Sequence, residues 1–107
     1  AAAFGIIGLE TSLAAAITHL VATNVLTPSQ LIEKMSDAPN RVLSLNGGSL
    51  TVGSPADITI IDPAKSWTVD SSRFYSKSRN TPFHGVSLTG AARHTITEGR
   101  IVFSRTE

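Results

Sequence analysis

The stretch Pro55-Ala56-Asp57-Ile58-Thr59-Ile60-Ile61-Asp62-Pro63 limits what this chain can fold into more than any other feature. Its β-branched run predicts a strand over residues 57–62. Gly53-Ser54-Pro55 reads as the turn that feeds it, and Pro63, with no N–H to give to a ladder, reads as its stop. Ahead of this stretch the apolar residues recur at helical spacing, and after it they recur at strand spacing. A helical first part and a β second part follow.

In the first part, Leu9, Leu13, Ile17 and Leu20 or Val21 share one face of a helix predicted over residues 9–23. Ala14, Ala15 and Ala16 favour the helix and are small enough to let a neighbouring element approach. Glu10 is expected in its first turn, near the exposed amides, and Asn24 is expected to end it. Thr27-Pro28-Ser29-Gln30 predicts a second start: a threonine N-cap, a proline at the first helical position and a glutamine to close the capping box. Leu31, Ile32 and Met35 are expected to face inward. Ser36 or Asp37 is expected to cap a third short helix, with Pro39 in its first turn and Val42, Leu43 and Leu45 as its apolar side. Helices this short leave an apolar face that needs burial against something else.

In the second part, residues 49–52 are read as a short strand and residues 65–69 as a further one, with Trp67 as a large packing residue. Asp70-Ser71-Ser72 is expected to cap a helical turn leading to Phe74 and Tyr75. Residues 92–97 and 100–103 predict a hairpin joined through Glu98-Gly99, with His94 and Ile96 on the opposite side from Arg93 and Thr95.

Several function classes drop out. The formal net charge is +1, and Arg41, Arg79, Arg93, Arg100 and Arg105 form no cluster with interleaved aromatics, so no nucleic-acid partner is expected. The absence of cysteine rules out a disulfide scaffold, a thiolate nucleophile and Cys-ligated zinc within these 107 residues. The apolar opening over residues 1–9 lacks a basic leader and falls short of the roughly 20 residues that a membrane span needs. No membrane partner is expected. An apolar run at residue 1, without an initiator Met, suggests a chain that starts inside a domain, a trimmed chain being the alternative.

Candidate chemistry is sparse. His19, His84 and His94 lie far apart, with no His-x-His or His-Glu-x-x-His pairing, and are read as surface or supporting groups. The carboxylates Glu10, Glu33, Asp37, Asp57, Asp62, Asp70, Glu98 and Glu107 mostly occupy cap, turn or exposed positions, and Asp57 and Asp62 are expected to bound their strand. Gly5-Ile6-Ile7-Gly8 is not a nucleotide loop. It does leave backbone amides uncovered just before a helix, where they can hold a carboxylate or serve simply as a loop-to-helix turn.

Three motifs in order carry a resemblance over essentially the whole chain: Phe4-Gly5-x-x-Gly8-Leu9-Glu10-Thr11, the Pro55–Asp62 stretch, and Asn80-Thr81-Pro82-Phe83-His84-Gly85. Together with the ending Gly99-Arg100-Ile101-Val102-Phe103, they resemble the C-terminal region of the bacterial-type dihydroorotases of the amidohydrolase superfamily. The resemblance implies an α/β fold: the C-terminal part of a metal-dependent (β/α)8 barrel, followed by the C-terminal strands of a small β-sandwich. Residues 1–46 would supply the last barrel loop and closing helices, and residues 47–107 the C-terminal portion of the composite sandwich. It further implies a cytoplasmic, zinc-dependent enzyme that reversibly hydrolyses the cyclic amide of L-dihydroorotate to N-carbamoyl-L-aspartate.

None of that family's metal ligands or its catalytic aspartate can be placed in this chain, and its Asp-x-Ala-Pro-His segment would lie just ahead of Ala1. The zinc would be bound by an upstream barrel segment, the main partner implied, and the 107 residues alone would be inactive. Phe4 and Gly5 match the family's substrate-contacting pair, whose main chain would hold the carboxylate and ring of the substrate. A homo-oligomer or an association with aspartate transcarbamoylase is also implied. The alternatives are a related cyclic amidohydrolase of hydantoinase or allantoinase type, and a non-catalytic homologue acting as a structural partner.

Overall fold

Pro63 does not end its strand. In this computed structural model, which describes residues 2–106, β1 runs over Ile58–Thr68 and joins the two strands expected on either side of the proline. Its pairing with β2 (Ser87–Thr97) is antiparallel, and the register breaks between Asp62 and Ser66. Pro63 lies inside that break, where no ladder donor is required. The neighbouring amides are satisfied locally, since Asp62 Oδ1 accepts from Ala64 N–H at 3.0 Å and Lys65 N–H at 3.1 Å. Asp62 therefore bridges the interruption.

The hairpin follows the sequence pattern. β2 turns into β3 (Arg100–Ser104) through Glu98 and Gly99, whose φ values of 49° and 76° are those of a two-residue type I′ turn. Asp57 Oδ1 accepts from Glu98 N–H at 2.8 Å, tying the turn to the start of β1. The sheet order is β1-β2-β3. His94, Thr95 and Ile96 are all half-buried, so the expected alternation is weak at this end. Residues 49–52 form no strand.

Helix α1 (Ser12–Ala16) continues as a π-helical stretch, Ile17–Val21, and Asn24 at φ 61° ends the run as expected. The buried side is turned from the one the spacing suggests. Thr11, Ala14 and Ile17 are buried, whereas Leu9 and Leu20 are exposed. What decides the face is β2: a Cβ on Gly90 would sit 2.5 Å from Ile17 Cδ1 and 3.1 Å from Ile17 Cβ, so helix and strand approach through a missing side chain. Beside this contact, Thr18 Oγ1 accepts from Thr89 N–H at 2.8 Å and donates to Thr89 O at 3.2 Å. β3 pairs with β2 only over residues 94–97, and one threonine hydroxyl stands in for the missing strand at Thr89.

The second and third expected helices are one run: α2 (Pro28–Ile32), a π-helical stretch over Glu33–Asp37, and α3 (Ala38–Val42). The Thr27–Gln30 capping box forms as expected, but Asp37 is helical and makes no side-chain cap. The widened turn directly precedes Pro39, which cannot supply the hydrogen bond that a tight α-turn would use. Leu31 is buried, yet Ile32, Met35, Val42, Leu43 and Leu45 are exposed rather than inward.

The core is small. Ala14, Val69 and Leu88 form it, with Ala15, Trp67, Phe74 and Phe83 packed around them. Accessible surface totals 7648 Å², against about 5,700 Å² for a compact monomer of this mass. The radius of gyration, 14.9 Å, likewise exceeds the ~13 Å of a compact chain of this length. The apolar helix faces lack a counterpart among the described residues. Ala1, which opens the apolar run, and Glu107, one of the carboxylates, lie outside them.

Asp70 caps a 3-10 turn, Ser71–Arg73, as expected; its Oδ1 accepts from Ser72 Oγ at 2.7 Å and Ser72 N–H at 3.0 Å. These bonds, the side-chain one foremost, lower the Asp70 pKa below its ordinary 3.8. The cap therefore contributes fully above pH 3.8 and is lost as the pH falls through the lowered value. In an NMR titration Asp70 should titrate below 3.8 and move back upward in Ser72→Ala. Gly90→Ala should lower stability by about 2–4 kcal/mol, read as a fall in thermal midpoint, because it overpacks Ile17 and strains a residue at φ 100°. Adding Ile17→Ala should recover part of that loss.

Candidate functional site

Phe4 and Gly5 sit on an exposed loop ahead of α1, with the Phe4 side chain wholly in solvent. The loop is nonetheless held in place. Asn80 Nδ2–H donates to Gly5 O, and Asn80 O accepts from Ile7 N–H at 2.9 Å. One residue therefore grips the loop on both sides of Ile6. Gly8 O then accepts from Ser12 N–H at 2.8 Å and Thr11 N–H at 3.2 Å, which starts the helix. Of the amides that the sequence leaves uncovered, Ile7 is taken by Asn80; those of Phe4, Gly5 and Ile6 have no partner among the described residues.

Glu10 does not serve the first turn of the helix. Its carboxylate reaches across to residues 75–76, accepting from Tyr75 N–H at 2.8 Å, from Ser76 N–H at 3.3 Å and from Ser76 Oγ–H. Arg79 stiffens the same segment by donating through Nη1 to Ser76 O and, at 3.0 Å, to Ser78 O. Residues 75–80 thus form a strap across the 4–10 loop. Beyond it, Phe83 N–H donates to Thr81 Oγ1 at 3.2 Å, and the Phe83 ring packs on the core. His84 Nδ1 accepts from Ser71 N–H at 3.2 Å, so the neutral ring carries its proton on Nε2.

The structure brings together two of the motifs singled out in the sequence, Phe4-Gly5 and the segment beginning at Asn80. It also adds two residues whose roles the sequence reading missed, Asn80 and Glu10. Their partners lie 75 and 65 positions away, and neither hydrophobic period nor local turn chemistry reports such a pairing. A cleft of ≈ 600 Å³ opens between α1 and the sheet, with Leu9, Leu13, Trp67, Phe74 and Phe103 in its walls. Phe4 and Gly5 are not part of it.

Metal chemistry finds no donor set. Among the described residues no three His, Asp or Glu side chains are grouped to hold a cation. His84 is committed to Ser71, and His94 Nδ1 lies 3.0 Å from Ser104 Oγ. His19 is exposed on the helix. The residues present do not fit a zinc centre. No helix among them is long and apolar enough to cross a membrane.

The sequence profile of the Amidohydrolase family matches residues 5–102. The chain is 55% identical over 100 residues to the dihydroorotase of Trichlorobacter lovleyi, covering 94% of the chain and 23% of that protein. It is 51% identical over 104 residues to the dihydroorotase of Pelobacter propionicus, covering 97% of the chain and 24% of that protein. The chain therefore spans about a quarter of the length of the curated relatives it matches. Among solved structures, the L-hydantoinase (dihydropyrimidinase) from Arthrobacter aurescens superposes with a TM-score of 0.88 at 36% identity, over 96% of this chain and 23% of that one. The dihydropyrimidinase from Brevibacillus agri shares the fold with a TM-score of 0.80 at 20% identity, over 89% of this chain and 21% of that one.

Removing the carboxylate that ties strap to helix should loosen both partners. Glu10→Ala should cost about 1–2 kcal/mol and speed amide exchange at Tyr75 and Ser76. Glu10→Gln, which retains one acceptor, should lose less than half as much.

Proposed function

Because the chain belongs to the amidohydrolase family, we propose that it forms the C-terminal part of a dihydroorotase, an enzyme that reversibly hydrolyses the cyclic amide of L-dihydroorotate to N-carbamoyl-L-aspartate. The observation that carries this reading is identity of about half to dihydroorotases over nearly the whole chain, 55% in the case of Trichlorobacter lovleyi. Residues 1–46 supply the last loop and closing helices of a (β/α)8 barrel, and residues 47–107 the C-terminal portion of a β-sandwich. The exposed Ile32, Met35, Val42, Leu43 and Leu45 support that arrangement, since they offer an apolar surface for the rest of a barrel to cover.

Within this assembly the chain orients substrate. The main chain at Phe4 and Gly5, with amides unpartnered among the described residues, contacts the carboxylate and ring of L-dihydroorotate. Amides fixed in place suit an anion because they need no reorganisation when it arrives. Bond making falls to groups outside these residues, and so does the zinc, because the donor set here does not fit it. The likeness to L-hydantoinase supports a second reading, hydrolysis of a related cyclic amide, but at 36% identity against 55% it is the weaker of the two.

A methyl group on Gly5 would meet nothing within 4 Å among the described residues, but it would strain a backbone at φ 159° that residues with a side chain rarely adopt, so Gly5→Ala reshapes the loop itself. In the intact enzyme carrying this segment, Gly5→Ala should raise KM for L-dihydroorotate by about tenfold, roughly 1.4 kcal/mol, and lower the thermal midpoint modestly through the strain at residue 5. An unchanged KM would overturn the substrate role of the loop.

A further inference from the structure

We infer that Asn80 is a positioning residue for substrate, acting through the 4–8 loop, and that the 75–80 strap exists to hold it there. The inference rests on the reading that Phe4 and Gly5 contact the substrate, and it extends that reading to residues that touch no substrate themselves.

The argument starts from one planar peptide. Asn80 Nδ2–H holds the carbonyl of Gly5, and in a trans peptide the following N–H points the opposite way. Fixing Gly5 O therefore aims Ile6 N–H away from the strap. The second bond, from Ile7 N–H to Asn80 O at 2.9 Å, prevents the peptide from rotating about that grip. Between the two anchors, the amides of Gly5 and Ile6 are left without a protein acceptor among the described residues, and no side chain of the chain packs near a Gly5 Cβ. A loop anchored at two points, with unpaired donors between them, is arranged to receive an acceptor of fixed direction. The carboxylate of a cyclic amide acid is of that class.

The strap is itself anchored at both ends. At one end the Glu10 carboxylate accepts from Tyr75 and Ser76. At the other, Thr81 turns the chain to Phe83, whose ring packs on the Ala14, Val69 and Leu88 core. Arg79 bonds to two carbonyls between them. Asn80 is thus referred to the rigid part of the fold, and the exposed loop borrows its position from that frame.

The test is steady-state kinetics in the intact enzyme. Asn80→Asp keeps the shape of the side chain but places an acceptor against Gly5 O at neutral pH. It should raise KM for L-dihydroorotate about tenfold, the scale of one lost oriented hydrogen bond, while kcat changes less than about twofold. Asn80→Gln, which keeps the amide donor on a longer arm, should recover part of the KM. In a Gly5→Ala background Asn80→Asp should add less than it does alone, because both changes act on one loop. An unchanged KM in Asn80→Asp, or a fall in thermal midpoint with kcat and KM lost equally in both Asn80 variants, would overturn the proposal. If Gly5→Ala still raises KM in that case, the substrate loop stands and only the role of Asn80 falls. If neither substitution moves KM, the substrate reading fails with it.

Discussion

The close approach of Ile17 to Gly90 is the contact on which the rest of this structure depends. Helix α1 can lie on β2 only because residue 90 has no side chain, and Gly90 lies between Thr89 and Ala91, across from the point where β1 makes its excursion around Pro63. Three further bonds converge on the same place. Thr18 pairs with both main-chain groups of Thr89, and Trp67 Nε1–H donates to Gly90 O at 2.9 Å. Arg105 stacks its guanidinium 5.1 Å from the centre of the Trp67 ring. Close packing and satisfied polar groups thus coincide at one junction between helix and sheet.

That junction sets the frame for the loop. Ala14 and Ile17 fix where α1 lies, and the foot of α1 carries Glu10. Glu10 holds the strap at residues 75–76, while Phe83 brings the other end of the strap back to the core shared with Ala14. Asn80 stands between these two anchors and transfers their rigidity to Gly5 and Ile7. An exposed loop that would otherwise fluctuate is thereby given a defined direction for its free amides. Such an arrangement suits the ligand-orienting role proposed for the loop, at the edge of a segment whose own core is small.

The candidate site was legible in the sequence as a place but not as a mechanism. Gly5 and Gly8 ahead of a helix point to uncovered amides, and those of Gly5 and Ile6 have no partner among the described residues. Sequence position alone makes Glu10 a first-turn acid, since an acidic residue near a helix start commonly serves that purpose. Its real partners, Tyr75 and Ser76, are brought near only by the packing of α1 on β2. Asn80 was visible as part of a motif, but a single sequence does not connect it to Gly5 across 75 residues.

Local chemistry by itself determined the Thr27–Gln30 capping box, the Asp70 cap, the Glu98-Gly99 hairpin turn and the stop at Asn24, because each is completed within a few residues. The same local logic predicted breaks at Pro63 and before Pro39 that the fold spans, the first by a break in register held by Asp62, the second by a widened helical turn. Tertiary structure alone decided which face of α1 is buried, since the expected face of Leu9, Leu13, Ile17 and Leu20 or Val21 satisfies helical spacing as well as the buried face of Thr11, Ala14 and Ile17, and the two share only Ile17. The choice lay with a glycine on a strand more than 70 residues away. A period states that a face exists, and only the surface it meets determines which face is used.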